Sequence, residues 1–297
     1  MKLAARVGHG YGIDIVDWTP VKDVYRLRTR EHGTLCLKPY DLPIEEVEFI
    51  AGVQDDVKRN GFQFVPYTFR TRSNRVGFKH NGNWYMLTRW VVGRTPSFRN
   101  ENRLHQAVRT LAKFHDSAQN LSARQPPTKR IKTKGIKRRL EHESRKIEEN
   151  YRGGCAEILK DLCAASLSHI ESSKVKRAIR REVAVKAFVH GDYNYPNIVQ
   201  DKQGRYHLID FENTSLHVRM EDLAHLIHHN AAWQGERVVR IIDAYDRVRP
   251  MSDGDLQLLI ALLYQPYPVF RAIQNGKQTQ GLSCALLKQY LHRLQRI

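Results

Sequence analysis

Asp192, Asn197 and Asp210 are the residues of this chain whose types and spacing could do chemistry together. The first two stand five positions apart in HGDYNYPN (190–197), and the third closes the apolar run LID thirteen residues later. An acid, an amide and a second acid in that order suit phosphoryl transfer. One carboxylate orients the attacking hydroxyl and accepts its proton, while two oxygen ligands hold magnesium against the nucleotide phosphates. Oxygen donors suit magnesium, which takes few protein groups and leaves its other positions to phosphate and water. Asp and Asn also favour turns for reasons of their own, and a lone HxD would need no other explanation. The whole set, followed by Asp210-Phe211-Glu212 after a short hairpin, weighs against a turn alone.

The elements that must position these residues begin with strands. Residues 11–18, YGIDIVDW, alternate apolar and polar and predict a first strand. A turn is expected at Thr19-Pro20, where proline discourages continuation. VYRLRTR (24–30) and TLCLKPY (34–40) predict the second and third strands around a His32-Gly33 turn. Lys38 then falls near the end of the third strand, where a lysine can reach nucleotide phosphates and pair with a glutamate of the next helix. An ordinary lysine there is simply solvated, and its order relative to the later acids favours the functional reading. Residues 42–60 predict a helix with Val47, Ile50 and Val53 on one stripe. Glu45, Glu46 and Glu48 lie early in it, where acids also suit the helix dipole. One of the three is the expected partner of Lys38, with Glu48 favoured for its place beside the stripe. A further pair of strands around a turn is read from the runs 62–70, 75–81 and 81–90, with Asn81-Gly82 a strong hairpin signal.

This organisation predicts an N-terminal nucleotide-binding lobe over 1–92, a five-stranded sheet plus a helix. Residues 93–297 form a helical C-terminal lobe with the catalytic loop and the metal motif. The linker backbone around Trp90 and Val91 is where an adenine ring would hydrogen-bond. The turn DWTPVKD contains no glycine, although protein kinases cover the phosphates with a glycine-rich loop. The glycines of GHGYG lack the lysine of a phosphate-binding loop and are read as an N-terminal turn. His115 is read as a packed or solvated helix residue, and His225, His228 and His229 as structural or solvent histidines. Asp222 is expected to anchor the catalytic loop by hydrogen bonds.

The 297 residues carry 49 Lys and Arg against 31 Asp and Glu, a formal charge of +18. Such a field attracts polyanions. The basic positions concentrate at Arg124, Lys129, Arg130, Lys132, Lys134, Lys137, Arg138, Arg139, Arg145 and Lys146, and again from Lys174 to Arg181. Solvated helix faces and an anionic partner surface are both open readings of these runs. No nucleic-acid module is present, so specific nucleic-acid recognition is not expected. No apolar run is long enough to span a membrane, and the first residues make a poor signal peptide, so a cytoplasmic protein is expected. Four scattered cysteines, without CxxC spacing, are expected as reduced, packed thiols.

Lys38, LTRWVVGR (87–94), HGDYNYPN (190–197), LIDFE (208–212) and MEDLAHLI (220–227) together resemble the aminoglycoside phosphotransferase and choline kinase-like superfamily. HGD stands where protein kinases have HRD, and Glu212 where they have glycine. Within the superfamily, PVKDVYRL (20–27) and the LKPY strand look most like the CotS-type spore coat proteins of endospore-forming bacteria. The resemblance covers essentially the whole chain. It implies an α+β, protein kinase-like two-lobe fold, with a small antiparallel-sheet N-lobe carrying one helix and a larger, mainly helical C-lobe. It implies Asp192 as catalytic base, His190 as the residue bracing its loop, Asn197 and Asp210 as magnesium ligands, and Lys38 as a phosphate contact. ATP and Mg2+ are the implied cofactors, and an unidentified small-molecule or polymer hydroxyl the acceptor. The implied location is the mother-cell cytoplasm and then the spore coat. Two functions follow. One is an ATP-dependent phosphotransferase; the other is a kinase-fold structural protein of the coat, with little or no turnover, that binds anionic coat components through its basic surface.

Overall fold

The structure is a computed structural model that describes residues 2–121, 126–277 and 281–297. Its elements in chain order are α1 (Leu3–Tyr11), β1 (Ile15–Val21), β2 (Val24–Thr29), β3 (Gly33–Tyr40), α2 (Ile44–Arg59), β4 (Gly77–His80), β5 (Asn83–Arg89), α3 (Glu101–Ser117), α4 (Ile136–Asn150), α5 (Ala156–Ile170), α6 (Ser173–Ala184), β6 (Phe188–Val189), β7 (Ile198–Gln200), β8 (Tyr206–Leu208), β9 (Ser215–Leu216), α7 (Met220–Asn230), α8 (Gly235–Asp246), α9 (Asp253–Tyr264), α10 (Tyr267–Gln274) and α11 (Cys284–Leu294). One compact unit comprises Met1–Pro96, Leu121–Arg130 and Pro196–Thr214; the other comprises Ser97–Asn120, Ile131–Tyr195 and Ser215–Ile297. The first carries an antiparallel sheet and the second is mainly helical, which is the kinase-like class the sequence implied.

In the first unit the strands take the order β1-β2-β3-β5-β4. Alternation along each strand assigns its faces. Leu27, Leu35, Leu37 and Leu87 bury one face together with Val7 and Tyr11 of α1. Cys36 and Lys38, at the intervening positions of β3, therefore take the other face. Helix α1 corrects the expectation of a turn followed by a strand from residue 11. Leu3, Val7 and Tyr11 recur every four residues, a stripe that the interspersed glycines mask. Burial of that stripe offsets the poor helix propensity of glycine, and the Tyr11 hydroxyl accepts from the Leu87 amide at 3.2 Å. β1 also runs through Pro20 instead of stopping at it, and the turn falls at Lys22, whose φ is 51°. As an edge strand, β1 tolerates a proline that a central strand would not.

The hairpin of β7 and β8 joins this unit through its backbone, which is why the division is not a single cut at residue 92. Leu208 N–H donates to the Phe64 carbonyl at 2.8 Å, and Gln200 and Arg94 exchange amide bonds of 2.8 and 3.0 Å. The approach is close. A Cβ on Gly93 would lie 2.2 Å from the Gln200 oxygen, so a side chain there would push the hairpin away.

The second unit is built around α9. Its residues from Leu258 to Tyr264 are all buried, and it packs against α5, α6, α7 and α11. An all-round apolar helix needs such a central position. Ser252 and Asp255 cap its start reciprocally. Helix α10 starts at Tyr267 although Pro266 and Pro268 flank its first residue. At the first positions of a helix proline sacrifices no intrahelical bond. The expectation that all four cysteines are reduced is also corrected. Cys155 and Cys284 form a disulfide with Cα atoms 5.3 Å apart, tying the starts of α5 and α11. Sequence spacing does not reveal a pair separated by 129 residues. Cys36 and Cys163 remain thiols. Among the described residues, no helix is long and apolar enough to cross a membrane.

Candidate functional site

In the first unit the site begins with Lys38. Its Nζ lies 2.5 Å from Asp210 Oδ1 and 2.8 Å from Glu212 Oε2. Burial opposes the ammonium charge, but the two carboxylates outweigh it and hold the lysine above its ordinary pKa. The buried Tyr40 ring lies 5.2 Å from the same nitrogen. Burial, reinforced by the neighbouring acids, keeps the Tyr40 hydroxyl protonated. Asp210 adopts φ 62°, a left-handed conformation uncommon outside glycine. Holding an Asp there costs on the order of 1–2 kcal/mol, which the surrounding bonds must offset. The end of the hairpin brings Asn197 beside this residue. Ile198 pairs with Leu208, and Ile209 N–H donates to the Asn197 carbonyl at 2.9 Å.

Arg130 secures the same turn. Its Nε donates to Glu46 Oε2 at 2.6 Å, while Nη1 donates to the carbonyls of Glu212 and, at 3.2 Å, Thr214. A fork of donors that spans a carboxylate and two carbonyls is a task for which arginine geometry is suited. Glu46 is the buried acid among the three considered on α2, and Glu48 lies half-buried. The carboxylates that the structure sets on Lys38 are thus those of Asp210 and Glu212, and α2 offers Glu46 to Arg130. Trp90 N–H donates to the Thr34 carbonyl at 3.1 Å, prolonging the sheet pairing into the segment of Val91. Two carboxylates already converging on one cation, with Asn197 at the end of the same hairpin, supply oxygen donors of the kind a hard divalent ion takes.

In the second unit the loop carrying Asp192 is held from below by Asp222 of α7. Asp222 Oδ2 accepts from His190 N–H at 2.7 Å and Oδ1 from Gly191 N–H at 2.9 Å. This is the anchoring expected of Asp222. Gly191 has φ 83°, a conformation in which a Cβ would strain the loop. His190 is fully buried and Asp192 half-buried. His115, whose ring has no partner near in sequence, bonds Asp222 Oδ2 at 3.3 Å and the Tyr245 hydroxyl at 2.7 Å. Burial opposes the Asp222 charge, but His115, His190 and the Gly191 amide outweigh it and depress its pKa. The Tyr193 hydroxyl, bonded to the Ala107 carbonyl at 2.7 Å, ties the other side of the loop to α3.

A cavity of about 350 Å³ opens beside this loop, lined by Gly191, Ser215, Glu221, Asp222, His225 and Tyr267 among others. His217 and His228 also line it, and burial pushes both imidazoles from 6.5 down to about 4. A folded pKa below the unfolded one favours the neutral form. The stabilisation is therefore complete above about pH 6.5 and is lost as the pH falls toward 4. Each histidine is worth on the order of 3 kcal/mol across that window. Urea midpoints at pH 7 and pH 4.5 should differ accordingly, and His228→Gln should reduce the difference. Among the described residues, no group of three or more His, Cys, Asp or Glu is arranged to hold a metal ion. His228 instead meets the Leu262 carbonyl at 3.2 Å.

The basic runs are in large part internally paired. Arg139 bonds Glu143 at 3.1 Å and also Glu221, Lys137 lies 2.7 Å from Glu171, and Lys174 lies 2.7 Å from Asp253. Arg181 pairs with Asp255 at 2.5 Å. Lys129, Lys134, Arg138 and Arg145 are exposed, and Arg124 lies outside the described residues. Arg130 and Glu46 were missed as site residues because their pairing spans 84 positions and no local pattern marks it.

The family described as the phosphotransferase enzyme family matches residues 21–254. Among solved structures, an aminoglycoside phosphotransferase from Alicyclobacillus acidocaldarius superposes with a TM-score of 0.76 at 19% identity, covering 100% of this chain and 93% of that one. An AMP-bound spectinomycin phosphotransferase superposes at 0.60 with 12% identity, covering 98% and 93%. An amicoumacin kinase, in complex with AMP-PNP, Ca2+ and its antibiotic, superposes at 0.54 with 14% identity, covering 99% and 91%.

Proposed function

Because this chain belongs to the phosphotransferase enzyme family, we propose that it transfers the γ-phosphoryl group of ATP to a hydroxyl of a small molecule or polymer. The observation that carries this reading is the convergence of Asp210 and Glu212 on Lys38, with Asn197 at the same hairpin end. In the reaction the acceptor oxygen bonds to the γ-phosphorus and the bridging P–O bond to ADP breaks, its electron pair leaving on the β-phosphate. The acceptor proton passes to Asp192, whose loop is kept in place by Asp222 and His190. Asn197 and Asp210 would hold magnesium, which when bound neutralises the phosphate charge that otherwise repels the attacking oxygen. Lys38, released from Asp210, contacts the phosphates. Glu48 is its alternative carboxylate partner in that state, and the backbone of Trp90 and Val91 meets the adenine.

We propose a CotS-type role at the spore coat, after synthesis in the mother-cell cytoplasm, on the strength of PVKDVYRL and LKPY. A second reading is a coat protein with little turnover that binds anionic components. It is favoured by the glycine-free turn between β1 and β2 and by the exposed part of the basic surface.

Calorimetric titration with ATP and its non-hydrolysable analogue, with and without Mg2+, tests the first reading. Binding is expected to strengthen with Mg2+ and to weaken roughly tenfold or more in Lys38→Met, the loss of one charge-assisted contact. No nucleotide binding at millimolar concentration would remove it.

A further inference from the structure

The cavity beside Gly191 holds unsatisfied polar atoms. Ser215 Oγ and His225 Nδ1 are buried and lack a hydrogen-bond partner, and both residues line it beside Glu143 and Gln265, whose side chains face each other. Burying such an atom without a partner costs about 1–3 kcal/mol. Two such atoms in one cavity, with the polar groups of Glu143 and Gln265 beside them, suit a ligand that brings several hydroxyls. Tyr267 and Phe270 add aromatic faces to the same wall, against which the C–H face of a sugar ring can lie. At about 350 Å³ the space is at the small end of ligand sites, roughly 300–1,000 Å³, and suits one ring better than three.

The charges of the lining decide the rest. Glu143 and Glu221 share Arg139, and Asp222 is bound by two backbone amides and His115. An ammonium entering here would have to compete for every carboxylate it met. Burial lowers the pKa of His217 and of His228 to about 4, so both rings offer neutral donors and acceptors at pH 7.5. Arg271, by contrast, is exposed, lines the cavity, and is bonded to Gln274 with no carboxylate partner among the described residues.

We infer that this cavity takes a monosaccharide-sized polyol bearing one anionic group, its hydroxyls on Ser215 and His225 and its anion on Arg271. The inference rests on the phosphotransfer reading, since it names the acceptor class for the loop that carries Asp192. It sets the acceptor apart from a polycationic one, for which carboxylates without partners would be needed.

The test is calorimetric binding to the full chain at pH 7.5 without nucleotide, using D-gluconate, D-glucose 6-phosphate, D-glucose and D-glucosamine. The anionic sugars are expected to bind roughly tenfold more tightly than glucose, with glucosamine weakest. A preference for gluconate identifies a carboxylate as the anion, and one for glucose 6-phosphate a phosphate monoester. Arg271→Gln, at an exposed site, should bring the anionic sugars to the affinity of glucose. Ser215→Ala should weaken the neutral and anionic sugars alike. Tightest binding of glucosamine, no effect of Arg271→Gln, or no binding of any sugar at ~10 mM would overturn the inference. Because nucleotide is absent, these outcomes are independent of the ATP titration. Phosphate transfer to glucosamine would uphold the phosphotransfer reading while removing this one, and tight gluconate binding without any nucleotide binding would do the reverse.

Discussion

Asp192→Asn is expected to reduce phosphotransfer roughly a hundred- to ten-thousandfold while leaving nucleotide affinity within about threefold, the range in which loss of a positioned base usually falls. The substitution keeps the size of the side chain and removes its ability to take a proton. It keeps the bonds from the backbone amides of His190 and Gly191 to Asp222 and from the Tyr193 hydroxyl to Ala107, which hold this loop. Melting temperature should therefore stay near that of the parent. A single-turnover assay with radiolabelled ATP measures the step directly, and a rate within threefold of the parent would exclude Asp192 as the base. In the coat-protein reading the same variant would leave assembly unaffected, so activity and assembly separate the two.

Asp222→Ala is expected to destabilise the protein by about 3–5 kcal/mol, which is what breaking a buried charged network costs when its partners are left behind. Three donors lose their acceptor at once: the amides of His190 and Gly191, and the His115 ring at 3.3 Å. His115 and His190 lie in the interior, where no water replaces the carboxylate cheaply, while Gly191 is exposed. Urea unfolding followed by circular dichroism should show the midpoint falling without a change in slope. Asp222→Asn retains one acceptor oxygen and should lose less. The effect on activity should exceed the effect on nucleotide binding, because the damaged loop carries Asp192. A loss under 1 kcal/mol would mean that the loop is held by something other than Asp222.

Much of the fold was legible because its determinants are local. Alternation marked β2 and β3, the Asn81-Gly82 turn marked the β4–β5 hairpin, and the apolar stripe of Val47, Ile50 and Val53 marked α2. The failures have local causes as well. Glycine masks the stripe of α1, Pro20 suggests a stop where an edge strand accepts it, and two distant cysteines carry no spacing signal. The His115 ring illustrates the remaining gap. Its partners, Tyr245 and Asp222, stand 130 and 107 positions away, so no window of the sequence contains the contact.

By itself the sequence determined which chemical groups are present and in what order: the strand lysine, the acid and amide of HGDYNYPN, and the acid of LIDFE. These follow from residue type and from the short periodicities of strands and turns. The tertiary structure decided which groups meet. It set Lys38 on Asp210 and Glu212, gave Glu46 to Arg130, hung the Asp192 loop from Asp222, and gathered the unsatisfied Ser215 and His225 atoms around one cavity. The physical reason is that charge and hydrogen-bond energies depend on distances of a few ångströms between side chains far apart in the chain. Packing of the apolar core sets those distances, and no local pattern of residues encodes them.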